Sequence, residues 1–115
     1  MEIETKNARI TSTFLGVEDH GIPTFTLFLD YGGTSQGAGD YSLGGGSPRI
    51  WGSCELLFRI MEVVGVDSWE QLKGQHIRAK ADRGKVYAIG NFLKDDWLDF
   101  EQFFLEHHKP ATLGK

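Results

Sequence analysis

Residues 76–91 read HIRAKADRGKVYAIGN, and this stretch decides the fold. Side chains alternate from His76 to Asp82 and again from Lys85 to Asn91, with the period of two that is typical of strands. Arg83-Gly84 lies between the two runs and is a candidate two-residue turn. The stretch therefore predicts an antiparallel β-hairpin.

The predicted turn fixes which residues of the hairpin lie opposite each other. Asp82 pairs with Lys85, and stepping back by two residues adds the pairs Lys80–Tyr87, Arg78–Ile89 and His76–Asn91. We expect these side chains to share the open face of the hairpin. The face towards the core then carries six small or apolar residues: Ile77, Ala79, Ala81, Val86, Ala88 and Gly90.

Two more strands precede the hairpin. Residues 22–31 alternate with period two after Pro23, and residues 8–16 form a second strand that pairs with them across a charged loop. The segment 32–49 is rich in glycine and is predicted to be a long loop, because loops of this length are uncommon and tend to be functional or disordered.

Three helices are predicted. The main helix begins with Ser53 as its N-cap and ends at Gly65, with one apolar face towards the core. A short helix begins at Ser68, where the spacing to Gln71 fits a capping box. A last helix is capped by Asp99 and carries Phe100, Phe103 and Phe104 on one face, either to complete the core or to contact a second copy.

These elements predict an α+β fold, with an antiparallel sheet of four to five strands packed on one main helix and a short C-terminal helix. The 115 residues suffice for one core. We therefore expect a single domain over residues 1–108 and a flexible tail over residues 109–115.

Charge and cysteine content limit the classes of function. The 12 Lys and Arg against 16 Asp and Glu give a net charge of −4, which disfavours binding of polymeric nucleic acid. The acidic N-terminus is unlike a secretory signal, and no apolar run is long enough for a membrane span. Cys54 is the only cysteine, which excludes an intrachain disulfide. We expect a cytoplasmic protein with no cofactor and no metal site.

The predicted open face of the hairpin is the one basic region. Residues 76–94 hold five cations against Asp82, a local charge of +4. Arg78 and Lys80 suit phosphate groups, the ring of Tyr87 suits stacking on a base, and the amide of Asn91 suits a base edge. The alternative is that these cations only solvate the open face of a sheet.

The glycine-rich segment is the second candidate site. Backbone N–H groups at Gly33, Gly37 and Gly39 can approach a phosphate or ribose closely, since no Cβ intervenes. Three contact-forming side chains interrupt the segment or follow it: Tyr41, Arg49 and Trp51. The alternative is a flexible connection between sheet and helix.

Catalytic constellations are weaker. Glu18-Asp19-His20 has the residue types of an acid–base cluster, and His107-His108 has those of a metal site. Neither group has diagnostic spacing, and a solvated turn and a histidine pair at a helix C-terminus explain them better. We therefore expect a protein that is not an enzyme.

Several strings of the sequence resemble a family of small phage-encoded proteins. They are STFLGVEDHG at residues 12–21, LDYGG at 29–33, QGAGDY at 36–41, VGVDSWEQLKG at 64–74 and YAIGNFLKDDW at 87–97. The patterns STFLGxEDHG and LDYGGxxQGxG are specific. They are similar to the phage anti-Thoeris proteins of the first type.

The resemblance implies a protein that binds cyclic ADP-ribose isomers, or in some members cyclic oligonucleotides, without degrading them. Two chains build each pocket in that family. Stacking on adenine suits Tyr87 or Phe92, a base contact suits Asn91, and phosphate contacts suit Arg49 or Arg78. This sequence departs from the expectation of a further arginine near the C-terminus, because none follows Arg83.

The expected function is sequestration of a cyclic nucleotide-type immune signal by a phage anti-defence protein in the infected bacterial cell. The expected partners are a small anionic ligand and a second copy of the chain. Two alternatives stay open: an enzyme that hydrolyses such a signal with His20, and an inhibitor that binds a host defence protein.

Overall fold

The structure is a computed structural model that describes residues 2–43 and 52–107. Within these residues, one sheet of six antiparallel strands has the order β3-β2-β1-β4-β5-β6. The strands are β1 (Glu4–Val17), β2 (Pro23–Asp30), β3 (Ser35–Ser42), β4 (His76–Ala81), β5 (Val86–Asn91) and β6 (Trp97–Asp99). The long β1 lies at the centre and pairs with both β2 and β4.

Two α-helices accompany the sheet, α1 (Ser53–Val64) and α2 (Phe100–His107), with a short 3₁₀ helix at Trp69–Leu72. Helix α1 ends at Gly65, whose left-handed φ of 96° lets its N–H reach the carbonyl of Met61. Helix α2 is capped by Asp99, which accepts the N–H of Gln102 at 3.0 Å. Neither α-helix in the described ranges has the length and apolar content needed to cross a bilayer.

The sheet curls so that β3 contacts β5. Gln36 on β3 donates from Nε2 to the carbonyl of Asp82 at 2.9 Å, which ties the two ends of the curl together. One continuous core fills the curl, and its largest fully buried side chains include Phe25, Phe100 and Ile10. Phe103 and Phe104 are also buried, so the phenylalanine face of α2 completes the core and is not free to contact a second copy.

The predicted α+β class is confirmed, as are the antiparallel sheet, the main helix and the short C-terminal helix. Six strands form where four to five were predicted. Gly52, with a φ of 91°, is the N-cap of α1 instead of Ser53. The predicted tail over residues 109–115 lies outside the described residues.

The prediction of a structureless loop over residues 32–49 is wrong for the stretch that forms β3. The strand is difficult to predict from the sequence because glycine contributes no side chain to an alternating pattern. Gly39 is required there, since its φ is 114° and a Cβ would lie 2.6 Å from the ring of Phe25. The missed strand β6 has only three residues, too few for a period to appear.

Candidate functional site

A β-bulge in the β4–β5 hairpin decides which side chains face outwards. Ala81 pairs with Val86 as the two-residue turn predicts, but Lys80 pairs with Ala88, so one extra residue, Tyr87, enters β5. From there on every predicted pair is wrong by one residue, and Arg78 lies opposite Gly90. Because side chains alternate along a strand, the slip exchanges the two faces of β5.

The side chain of Asn91 is therefore on the core side of the sheet, on the opposite face from the side chain of Arg78. Its Nδ2 donates to the carbonyl of Val63 on α1 at 2.8 Å, and its Oδ1 accepts the N–H groups of Leu93 and Lys94. All of its polar atoms are engaged in holding the chain. The predicted placement of this amide on the basic face is wrong.

Pairing through β1, β4, β5 and β6 builds an outer face that we call the basic face. Arg78 pairs with Asn7 of β1 on one side and with Gly90 of β5 on the other, and Gly90 pairs in turn with Trp97 of β6. The neighbouring row carries Lys80 beside Thr5 and Ala88. The members of the basic face that carry polar or aromatic side chains are Thr5, Asn7, Arg9, His76, Arg78, Lys80, Trp97 and one carboxylate, Asp99, which lies opposite Ala88.

Trp97 is the centre of the basic face. Its indole lies against Gly90, where a Cβ would be only 2.6 Å from the ring. The guanidinium carbon of Arg78 is 4.8 Å from the ring centroid, and Nζ of Lys80 is 4.4 Å from it. Two cations thus converge on one aromatic ring, each at a distance that favours cation–π attraction.

Arg78 is held in place by backbone oxygens. Its Nε donates to the carbonyl of Asn91 at 2.9 Å, and its Nη2 donates to the carbonyl of Lys94 at 2.7 Å. These bonds fix the plane of the guanidinium without neutralising its charge. The loop that supplies both carbonyls is itself fixed by the amide of Asn91.

Neither Arg78 nor Lys80 forms an ion pair with a carboxylate of residues 2–43 or 52–107. Two other cations of the described residues are paired, Arg59 and Lys85. Arg59 contacts Asp96 at 2.7 Å and Glu62 at 2.8 Å, and the hydrogen bond to Asp96 is the main cause that raises its pKa. Lys85 lies 3.7 Å from Glu101. In this respect Arg78 and Lys80 differ from Arg59 and Lys85.

Tyr87 is engaged in the turn of the hairpin. Its hydroxyl donates to Oδ2 of Asp82 at 2.7 Å, and Nζ of Lys85 lies 4.9 Å from its ring centroid. The hydrogen bond from Tyr87 is the largest cause that lowers the pKa of Asp82, and it raises the pKa of Tyr87 in return. Phe92 lies at the edge of the basic face, 40% exposed, with its ring 5.6 Å from that of His76.

The predicted glycine-rich site is not part of the basic face as its strand pairing defines it, because β3 pairs with β2 and with no strand of that face. Gly33 lies in the turn before β3, Gly37 pairs with Phe28 and Gly39 pairs with Thr26. Tyr41 packs on the core, with its ring 4.7 Å from that of Phe104. Arg49 and Trp51 lie outside the described residues. The structure thus brings together Arg78 and Lys80 from the predicted set, with Phe92 at the edge.

Trp97 is the central residue that sequence reasoning missed. It lies beyond the predicted hairpin on a strand too short to be recognised, so no pairing pattern connects it to Arg78. The signal that could have found it is Gly90, an unexplained glycine inside a strand, since such a glycine often marks a close approach.

A second candidate is a cleft of about 490 Å³ on the outer face of β1, β2 and β3. Glu18 and His20 meet at its rim, with Oε2 3.1 Å from Nδ1, and this contact is the largest cause that lowers the pKa of Glu18. Asp19 and Asp40 also line the cleft. Three carboxylates give it a negative potential that repels phosphate. No group of three or more metal-ligating side chains occurs in the described part of the chain.

No family model, no curated protein and no solved structure matches the chain.

Proposed function

We propose that the protein binds a small anionic nucleotide-type ligand on the basic face and sequesters it without cleavage. The observation that carries this proposal is the convergence of Arg78 and Lys80 on Trp97, with neither cation in an ion pair with a carboxylate of the described residues. An anion between these two groups relieves their mutual repulsion and forms charge-assisted hydrogen bonds with both.

The position of Arg78 supports a phosphate as the anion. Two of its donors are used by the carbonyls of Asn91 and Lys94, which leaves Nη1 for a ligand and keeps the guanidinium from rotating. An arginine fixed before binding loses less conformational entropy when the ligand arrives. Lys80 contributes a point charge on a flexible side chain, which adjusts to a second oxygen of the phosphate.

The resemblance of the sequence to phage anti-Thoeris proteins supports a particular ligand class. We propose a cyclic nucleotide-type immune signal, either a cyclic ADP-ribose isomer or a cyclic oligonucleotide, and a role in phage anti-defence. A cyclic dinucleotide-sized ligand presents few phosphates, so two or three cations are enough to match it. A nucleic acid polymer requires a longer row of cations, because salt weakens its binding to a protein.

Ligand retention tests the proposal. The protein is incubated with candidate cyclic signals, filtered and denatured, and the ligand recovered from the protein fraction is identified by mass. We expect unaltered ligand at stoichiometric yield from the wild-type protein and a loss of at least tenfold in affinity for Lys80→Gln. Lys85→Gln is the matched control, because it removes the same charge from a lysine that already has Glu101 as partner. Equal loss in both variants, or no retention of any candidate, overturns the proposal.

The hydrolase alternative rests on the contact between Glu18 and His20 at the rim of the cleft. A carboxylate that orients an imidazole is a common arrangement for a general base. This candidate predicts turnover of a cyclic signal by substoichiometric protein and loss of turnover in His20→Ala. Recovery of intact ligand after long incubation excludes it.

A further inference from the structure

The cleft on the outer face of β1, β2 and β3 has aromatic walls. Phe14 is 39% exposed and Phe28 is 43% exposed, and both line this cleft of about 490 Å³. Phe28 lies opposite Ser12 and Phe14 opposite Thr26, so the two rings are diagonal neighbours on one face of the sheet. The ring of Phe14 lies close over Gly16, where an added Cβ would be 3.1 Å from Cζ. Both rings therefore present apolar surface to a molecule that enters the cleft.

The floor of the cleft is polar and offers only acceptors. Thr24 and Thr26 line the cleft and are each only 6% exposed. Oγ1 of Thr26 donates to Oδ1 of Asp40 at 2.6 Å, and Oγ1 of Thr24 donates to the carbonyl of Tyr41 at 2.8 Å. Because each hydroxyl has a single proton and uses it in this bond, only its lone pairs remain for a ligand. A polar group that reaches this floor is therefore matched only if it donates hydrogen bonds.

Three carboxylates give the cleft its charge. Glu18, Asp19 and Asp40 line it, and no lysine or arginine of the described residues does so. Glu18 is used within its own turn, where it accepts the backbone N–H of His20. Asp19 accepts no hydrogen bond from its surroundings in residues 2–43 and 52–107, and neither does Oδ2 of Asp40. Two carboxylates are therefore available to a cation.

The chemistry of the cleft selects an organic ammonium ion. An anion is repelled, and the described residues bring together no group of three or more metal-ligating side chains. An alkylammonium group donates N–H bonds to carboxylate and hydroxyl oxygens, while its methylene groups and its charge both suit the face of an aromatic ring. Three carboxylates in one cleft match a ligand with more than one such group.

We propose that this cleft binds an aliphatic polyamine, with ammonium groups at Asp19 and Asp40 and the methylene chain across Phe14 and Phe28. Charge complementarity is the argument for this occupant, and the acceptor-only floor is the argument for N–H groups on it. The site goes beyond the proposed sequestration of an anion and does not depend on it, because no residue of the basic face lines the cleft.

Calorimetric titration of the full chain with spermidine, without any nucleotide, tests the site. We expect saturable binding that weakens from the triamine spermidine to the diamine putrescine, and weakens again between about 0.05 and 0.5 M salt. Asp19→Asn and Asp40→Asn should each raise the dissociation constant about fivefold or more. Asparagine keeps an acceptor for Thr26 and tolerates the φ of 65° at position 40.

Two further variants separate the site from general attraction to an acidic protein. Asp30→Asn is the matched control, because it removes the same charge from a carboxylate that does not line the cleft and still accepts the N–H of Gly32. We expect its affinity for spermidine to equal that of the wild type. Phe28→Leu keeps an apolar side chain but removes the aromatic face, and should weaken binding about threefold or more.

Several outcomes overturn the proposal: no saturable binding of either polyamine, an equal loss of affinity in Asp30→Asn and the two cleft variants, or tetramethylammonium bound as tightly as spermidine. Binding of a lysine-rich peptide without binding of spermidine also overturns it and assigns the cleft to a protein partner. Circular dichroism of each variant separates loss of binding from loss of fold. If Asp40→Asn is unfolded, Asp19→Asn decides, since Asp19 lies in an exposed turn.

Discussion

Replacing Gly90 with alanine should disturb the position of Trp97 in the basic face without removing any charged residue. The new Cβ would lie 2.6 Å from two ring carbons of Trp97, Cδ2 and Cε3. Carbon atoms pack at about 3.5–4.0 Å, so the indole must retreat by roughly 1 Å or tilt. Because the ring centroid lies only 4.8 Å from the guanidinium carbon of Arg78 and 4.4 Å from Nζ of Lys80, a displacement of this size disturbs the contact of the ring with both cations.

We expect Gly90→Ala to lower the free energy of unfolding by about 1–3 kcal/mol, the usual range for overpacking, and to weaken ligand retention together with it. Urea unfolding measures the first effect and the filtration assay the second. Gly84→Ala is the matched control, since its Cβ meets only Oδ1 of Asp82 at 3.4 Å. We expect a change of less than about 0.5 kcal/mol there.

A double-mutant cycle decides whether Trp97 is the cause. In a Trp97→Ala background the clash is absent, so Gly90→Ala should cost less than about 0.5 kcal/mol. An unchanged cost in that background would refute the reasoning, because the loss would then arise from the backbone of β5 and not from the indole.

Two further predictions follow from the same geometry. Tyr87→Phe should raise the pKa of Asp82. That pKa is lowered in the folded state, so its contribution to stability is present above pH ~4 and is lost as the pH falls through the folded value. Urea unfolding at acidic and neutral pH should therefore show a smaller acid-dependent loss in the variant. Asn91→Ala should lower the free energy of unfolding by about 1–3 kcal/mol, because it leaves the carbonyl of Val63 and two N–H groups without their partner, whereas a side chain that only touched ligand would leave urea unfolding unchanged.

The sequence was sufficient for the elements with a strong period or a recognisable cap. Helix α1 and its end at Gly65, the capping residue Asp99 and the existence of the β4–β5 hairpin were all predictable from local chemistry. Their signals lie within a few neighbouring residues, where propensity and hydrogen bonding act without help from the rest of the chain.

The candidate site was less predictable because one extra residue decides it. The bulge at Tyr87 moves Asn91 to the core side and brings Gly90 to the outer face, and nothing local distinguishes the bulged register from the regular one. The choice is made by packing: Ile89 then faces Ile77 and Ala79 in the core, and it is fully buried there. Strand β3 was missed for a related reason: Gly39 is required by the ring of Phe25, which is its neighbour in space but not in the sequence.

The contrast between two arginines supports the proposed anion site on the basic face. Arg59 is surrounded by Asp96 and Glu62, which neutralise it within the chain. Arg78 is fixed as firmly, but only by carbonyl oxygens, which orient a guanidinium and leave its charge uncompensated. Asp95, in the same loop, forms no ion pair with Arg78; its Oδ1 accepts the indole N–H of Trp97 at 3.2 Å. A carboxylate of this loop thus positions the ring on which the cations converge without pairing with Arg78, which is the arrangement that the proposed anion site requires.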